Sequence, residues 1–190
     1  MKHRDLFYKA DIDGKYLDNF ISFTTKIKAV LTFNFEALKY NFSHYERWTP
    51  DENGDFVEVA EDGTTHYLGW CFTSTTRGGQ KGVVMRPASQ VLIHPGRWKY
   101  FEYEVNKQRW ENIALLWLIR QMGKGYDYAG AMGCVLWQRQ NPLLWFCSEI
   151  GMKLKQLMGE IAIQKLAISP IEMAAILAKM YGEPKELKGE

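Results

Sequence analysis

Cys147 is the side chain whose position in the sequence is best suited to nucleophilic chemistry. It occurs in Phe146-Cys147-Ser148-Glu149-Ile150, where the loop containing Asn141-Pro142 gives way to a helical apolar pattern. N–H groups and the positive dipole at a helix start stabilise a thiolate, and also the oxyanion that forms when a thiolate attacks a carbonyl. The alternative is that Cys147 is simply a small buried hydrophobe in aromatic surroundings.

A nucleophilic thiol needs a base, and His44 is the histidine whose setting fits that role. It lies in Ser43-His44-Tyr45-Glu46, the first segment with strand character, so His44 and Glu46 should point to the same face. Imidazole is the side chain whose proton affinity suits proton transfer near neutral pH. A structural strand histidine remains the alternative, because His44 and Cys147 are far apart in the chain.

The remaining histidines and cysteines are predicted to be structural. His66 and Cys71 have an odd spacing, which in a strand directs His66 to the surface and Cys71 to the core. His94 precedes Pro95-Gly96 in a turn, and Cys134 lies in an apolar run that indicates packing. The cysteines lack the spacings of a zinc site or a disulfide scaffold, so we expect reduced thiols, no metal and no cofactor.

The elements that must position these residues form an α+β pattern. Three- and four-residue apolar steps predict an amphipathic helix within residues 17–35. Between about residues 42 and 105, short runs rich in Val, Tyr, Phe, Trp and Thr alternate with glycine-containing turns, which is typical of an antiparallel meander. Helices are predicted after Asn106, from Cys147, and from Ser169-Pro170-Ile171-Glu172, which combines an N-cap Ser, a Pro at the first position and a capping-box Glu.

Composition limits the classes of function. A chain of 190 residues, 46% of them hydrophobic, can bury a core without disulfides. We assign residues 1–182 to one domain and expect residues 183–190 to be a flexible tail. The 24 Lys and Arg are interspersed with 22 Asp and Glu, which argues against a nucleic-acid partner. Neither a signal peptide nor a transmembrane segment is indicated, so a cytoplasmic location is expected.

The order of these segments resembles that of the circularly permuted papain-like amidases of the NlpC superfamily, the YiiX-like branch, in which the histidine precedes the cysteine. The resemblance covers most of residues 40–175 and rests on Ser43-His44-Tyr45-Glu46, Cys71-Phe72-Thr73-Ser74-Thr75, Gly82-Val83-Val84-Met85-Arg86, Gly125-Tyr126-Asp127-Tyr128, Phe146-Cys147-Ser148-Glu149-Ile150 and Ser169-Pro170. It implies a permuted papain-like fold, in which an antiparallel sheet or partial barrel packs against helices, with an N-terminal helical embellishment.

The resemblance also implies catalytic roles. Cys147 corresponds to the nucleophile, and His44 to the base that later protonates the leaving group. The position of the family's orienting glutamate, on a neighbouring strand, falls among residues 73–75, which are not acidic here. Glu46 is therefore assigned to that role, with Glu58 as the second choice.

Further residues are expected around the cysteine. The Cys147 N–H should supply one oxyanion donor, and Tyr126 or a nearby polar group another, with Asp127 close behind. Structural roles for Tyr126 and Asp127, in the turn after Gly123, are equally compatible with the sequence.

The expected activity is that of a cysteine hydrolase, an amidase, peptidase or thioesterase, in a bacterial or bacteriophage protein. Its substrate would be a peptide, a lipid or a small acyl-bearing molecule. The aromatic side chains expected to line the cleft are Tyr45, Trp48, Trp70, Trp145 and Phe146. The alternatives are an acyltransferase that uses the same Cys/His pair and a non-catalytic papain-like module that binds a peptide or lipid partner.

Overall fold

The computed structural model describes residues 1–10, 16–76, 79–128, 143–162 and 168–187, in which a six-stranded antiparallel sheet packs against helices. The strands are β1 (Lys2–Lys9), β2 (Phe42–Thr49), β3 (Val57–Val59), β4 (Thr65–Tyr67), β5 (Trp70–Thr75), β6 (Gly82–Pro87), β7 (Trp98–Glu104), β8 (Gly125–Tyr126), β9 (Leu144–Trp145) and β10 (Lys185–Glu186). The helices are α1 (Tyr16–Leu31), α2 (Ala88–Val91), α3 (Lys107–Arg109), a π-helical segment (Trp110–Leu115), α4 (Leu116–Gln121), α5 (Cys147–Met158) and α6 (Pro170–Tyr181), and 3₁₀ turns occur at Phe35–Lys39 and Pro95–Arg97.

The main sheet has the strand order β10-β7-β1-β2-β5-β6. Its central strand β1 pairs with both β2 and β7, so that Leu6 lies between Glu46 and Tyr100. The predicted meander is therefore correct only in part: β5 and β6 form a hairpin, but β7 crosses to β1, while β3 and β4 form a sheet of their own.

The N-terminus contains the expected helix, α1, but also a strand that was not predicted. The strand β1 precedes α1, so the segment around His44 is the second strand and not the first. The sequence of β1 conceals it, because Asp5, Leu6 and Phe7 are all buried and the strand lacks simple polar–apolar alternation.

Side-chain alternation along β2 divides the sheet into two packing faces. Tyr45 and Arg47 point to the helix face, on which α5 and α6 pack. His44, Glu46 and Trp48 point to the opposite side, the hairpin face. The hairpin face is covered by the β3–β4 region, by α2 and by Leu187, which follows β10. Its core consists of Leu6, Trp48, Phe56, Cys71, Ala88, Leu92, Trp98 and Leu187.

The C-terminal segment corrects the prediction of a flexible tail from residue 183. Lys185 pairs with Tyr100, so that β10 forms an edge of the sheet. The Leu187 N–H donates to the Trp98 carbonyl at 3.1 Å, and the Leu187 side chain is buried in the hairpin face. Backbone pairing and the ion pairs of Glu186 with Lys9 and Lys99 hold this segment together with the burial of its one apolar side chain.

The predicted helix starts are confirmed. At α6, Ser169 Oγ accepts from the Glu172 N–H at 3.3 Å, and Glu172 Oε2 accepts from the Ser169 N–H at 2.8 Å. At α3, Asn106 Oδ1 accepts from the Arg109 N–H at 2.9 Å. Within the described ranges, no helix has both the length and the apolar character that crossing a bilayer requires.

Candidate functional site

The His44 imidazole and the Glu46 carboxylate meet on the hairpin face. Their Nε2 and Oε1 atoms are 3.1 Å apart, and the two residues are only 4% and 1% exposed. The contact forms because residues two apart on a strand share a face. The Trp98 ring lies against the imidazole, with 6.3 Å between ring centroids. The prediction that His44 and Glu46 face one side together is confirmed.

Arg86, which was not predicted as a site residue, completes this charged group. It lies on β6, beyond the intervening β5, and one of its terminal nitrogens donates to Glu46 Oε1 at 2.5 Å. A guanidinium beside a buried carboxylate offsets the cost of burying its charge. The contact depends on the register across three strands, which the residue pattern alone does not specify.

Cys71 lies on the same face and is a core residue, as predicted. Its thiol is buried, and burial raises its pKa well above the ordinary value, with the negative charge of Glu46 acting in the same direction. This thiol stays protonated and unreactive.

Cys147 is the first residue of α5, as the sequence predicts. It is 2% exposed and packs within the helix-face cluster that includes Phe7, Tyr45 and Phe146. Its peptide group belongs to the first turn, whose N–H groups lack partners within the helix. Position at the helix start therefore agrees with a nucleophile, whereas the close aromatic packing agrees with a buried hydrophobe.

The contacts of α5 show where Cys147 lies along β2. Gly151 is one turn after Cys147 on the same side of the helix, and a Cβ atom there would lie 2.3 Å from Cε1 of Tyr45. Farther along, Met158 contacts Arg47. The helix thus runs in the same direction as β2, and Cys147 lies toward the N-terminal end of the strand, where the histidine is.

His44 and Cys147 approach this end of β2 from opposite faces. The His44 ring lies with Trp98 on the hairpin face, and Cys147 belongs to the same buried cluster of the helix face as Tyr45. The structure thus brings His44 into contact with Glu46. Cys147 lies near the same end of β2 but on the other face of the sheet.

The segment leading into α5 reaches the sheet where the β2–β5 ladder ends. That ladder pairs Arg47–Thr49 with Trp70–Phe72. Beyond it, Ser74 Oγ donates to the Trp145 carbonyl at 2.5 Å, and Thr73 Oγ1 donates to the Tyr45 carbonyl at 2.6 Å. Thr73 and Ser74 occupy the position expected for the family's glutamate. Their hydroxyls instead hold the backbone carbonyls of Tyr45 and Trp145.

Tyr126 and Asp127 are brought beside the start of α5. Tyr126 pairs with Trp145 in the parallel β8–β9 ladder, and the Asp127 N–H donates to the Trp145 carbonyl at 2.9 Å. Burial raises the pKa of Glu149, in the first turn of α5, to about 7, and the charge of Asp127 adds to that shift. The two predicted accessory residues therefore neighbour the cysteine's helix.

Other predicted site residues lie elsewhere. Glu58 is exposed on β3, opposite His66 in the separate two-stranded sheet, and this position does not support a role beside His44. Tyr45 and Trp48 are core residues of opposite faces, and Trp70 is exposed at the start of β5, so these three do not form one aromatic cleft. Cys134 lies outside the described residues.

A buried ionic network beneath α5 was also missed. Asp5 receives Arg47 Nε and Lys155 Nζ, each at 2.9 Å, and the hydroxyls of Tyr45 and Tyr103 at 2.6 and 2.8 Å. Burial alone raises the pKa of Asp5, but Arg47 and Lys155 outweigh it and lower the pKa to about 2. The ionised Asp5 on β1 thus links α5 to the sheet through its contact with Lys155.

Among the described residues, no group of three or more His, Cys, Asp or Glu side chains is arranged to hold a metal ion. Comparison of the chain with family models, with curated proteins and with solved structures gave no match.

Proposed function

We propose that the chain is a cysteine hydrolase with a permuted papain-like arrangement, which cleaves an amide, peptide or thioester bond through an acyl-Cys147 intermediate. The observation that supports this most is the buried His44–Glu46 pair on the part of β2 to which the first turn of α5 is directed. An imidazole fixed by a carboxylate is the base that a thiol nucleophile requires.

The proposed reaction assigns one nitrogen of the imidazole to each neighbour. Nε2 of His44 is held by Glu46, so Nδ1 is the nitrogen left for the thiol. The proton transfer requires the imidazole, which lies on the hairpin face, to reach Cys147 past the end of the β2–β5 ladder. The thiolate attacks the carbonyl carbon, a C–S bond forms, and the leaving group departs with the proton from the imidazolium. Water then loses a proton to His44 and attacks the thioester, the C–S bond breaks, and the acid and the thiol are released.

The first turn of α5 would stabilise the transition state. The Cys147 N–H lies at the start of a twelve-residue helix, where backbone donors and the helix dipole favour negative charge. Tyr126 is the proposed second donor, because its strand is paired with the one that leads into the helix. The substrate classes remain a peptide, a lipid or a small acyl-bearing molecule.

The test is the alkylation of Cys147 by iodoacetamide between pH 5 and 9, followed by mass spectrometry of the peptide that contains it. We expect the thiol of the intact protein to react rapidly below the usual thiol pKa of about 8.5, and His44→Ala to remove that reactivity. The matched control is His66→Ala, which removes an exposed histidine from β4. Equal reactivity in all three proteins would contradict the proposal.

The tight burial of Cys147 favours a second candidate function, a non-catalytic module that binds a peptide or lipid partner. Cys147 is 2% exposed and belongs to a buried cluster that includes Phe7, Tyr45 and Phe146, so little of this residue is open to an acyl group from solvent. Incubation with a p-nitrophenyl acyl ester separates the two candidates. A hydrolase gains the mass of one acyl group on Cys147 and releases p-nitrophenol, and Cys147→Ala does neither; a binding module gives no covalent adduct.

A further inference from the structure

Helix α1 carries an apolar surface that the rest of the described chain does not cover. Phe23, Ile27, Val30 and Leu31 recur at helical spacing and are exposed on one side of the helix. The same surface continues beyond the helix, and we name the whole of it the apolar ridge: Phe23, Ile27, Val30, Leu31, Phe33 and Phe35.

Phe33 occupies a backbone position that ordinarily takes glycine. Its N–H donates to the Val30 carbonyl and that of Asn34 to the Ala29 carbonyl, the hydrogen bonds of a Schellman motif. The motif requires the left-handed conformation, and φ of Phe33 is 55°. A side chain with a Cβ atom is strained there, yet the phenyl ring is 80% exposed. Packing in the core does not account for phenylalanine at this position.

The size of the ridge also suggests a role in docking. Phe23, Phe33 and Phe35 are 64%, 80% and 59% exposed, so these three rings alone present roughly 400 Å² of surface. Single exposed hydrophobes are common, but the largest apolar patch of a monomer, about 300–600 Å², is often functional.

Charges around the ridge indicate what could cover it. Lys26 lies at its edge on α1, and Lys39 and Lys179 lie near Glu36 at its far end. Glu183 is also near Lys39, so among these described side chains three lysines face two glutamates, an excess of one positive charge. Two copies of the ridge would bring this excess against itself, whereas an anionic surface would be attracted to it.

We propose that the apolar ridge docks the protein on the surface of an anionic lipid bilayer. The phenylalanine rings would enter the boundary between head groups and acyl chains, with α1 lying along the membrane and the lysines near the head groups. This inference does not depend on Cys147, so it stands or falls separately from the proposed hydrolase.

The test is sedimentation with vesicles of phosphatidylcholine, with and without phosphatidylglycerol, at low salt. We expect the intact protein to bind the anionic vesicles and Phe33→Gly to bind on the order of tenfold more weakly. Because glycine suits the left-handed position, Phe33→Gly should unfold at the same or a higher temperature. The matched control is Ile93→Ala, which shortens another exposed apolar side chain, 69% exposed and away from the ridge, and should bind like the intact protein.

Three results would overturn the proposal. The first is a lack of sedimentation with the anionic vesicles, and the second is equal binding by Phe33→Gly and the intact protein. The third is a dimer of the intact protein in light scattering that Phe33→Gly converts to a monomer, because the ridge would then be covered by a second copy.

Discussion

Nε2 of His44 lies 3.1 Å from Oε1 of Glu46, and the same carboxylate oxygen receives Arg86 from two strands away. The imidazole is thus oriented by a residue of its own strand, and the carboxylate is in turn held by a guanidinium. Both contacts lie in a buried part of the hairpin face, where a fixed charge has more effect than it has in water.

Replacing Glu46 by Gln tests whether this orientation matters to the thiol. The variant keeps the shape of the side chain but removes the negative charge that would stabilise an imidazolium. If Cys147 and His44 act together, we expect the alkylation rate of Cys147 at pH 7 to fall about tenfold or more. Glu58→Gln, on the exposed β3 strand, is the control and should react like the intact protein. An unchanged rate in Glu46→Gln would contradict the role assigned to the carboxylate.

Local signals in the sequence were sufficient for several of these features. The capping box at Ser169 and Glu172 involves neighbours in the chain, so the residue types and their spacing determine it. The shared face of His44 and Glu46 follows from strand alternation alone. The helix start at Cys147 follows from the change in apolar period.

Features that depend on distant pairing could not be predicted in the same way. Arg86 reaches Glu46 only because the register of three strands brings it there. The strand β1 was concealed because Asp5, a charge in its middle, is buried against cations from β2 and α5. The alternation along β2 shows that His44 and Glu46 share a face. It does not show which of the two faces the helices cover, because that depends on how distant elements pack on the sheet.

Replacing Asp5 by Asn tests the network that fastens α5 to the sheet. The change leaves Arg47 and Lys155 buried without the carboxylate that both contact, and an unpaired buried charge is costly. We expect the free energy of unfolding at pH 7 to fall by about 3–5 kcal/mol, measured by urea denaturation. The control is Asp62→Asn, in an exposed turn, which should cost well under 1 kcal/mol. A similar loss in both variants would show that the network does not stabilise the fold.

Replacing Gly151 by Ala tests the close approach of α5 to β2. Alanine favours helices over glycine by about 1 kcal/mol, so propensity alone predicts a more stable protein. The new Cβ atom would instead lie 2.3 Å from the Tyr45 ring, which is held by its hydroxyl contact with Asp5. We expect the overpacking to dominate and to lower the free energy of unfolding by about 1–3 kcal/mol.

The double variant Gly151→Ala/Tyr45→Leu separates this clash from a general effect on the helix. Removing the ring takes away the atoms that the new methyl group meets, so the cost of Gly151→Ala should be smaller in the Tyr45→Leu background. If the loss of unfolding free energy in the double variant equals the sum of the losses in the two single variants, α5 does not pack on Tyr45 as described.

Replacing Glu149 by Gln tests the buried carboxyl in the first turn of α5. Burial raises the pKa of Glu149 to about 7 in the folded protein, against an ordinary value of 4.5, and Asp127 adds to the rise. The folded state therefore binds the proton more tightly than the unfolded state does, and the stability of the protein should fall as the pH rises from about 4.5 to 7.

Glutamine does not ionise and keeps an oxygen for the Phe146 N–H. We expect similar unfolding free energies at pH 4.5 and an advantage of about 2–3 kcal/mol for Glu149→Gln at pH 8.5, measured by urea denaturation across that range. Parallel pH profiles of the two proteins would show that Glu149 does not titrate in this window.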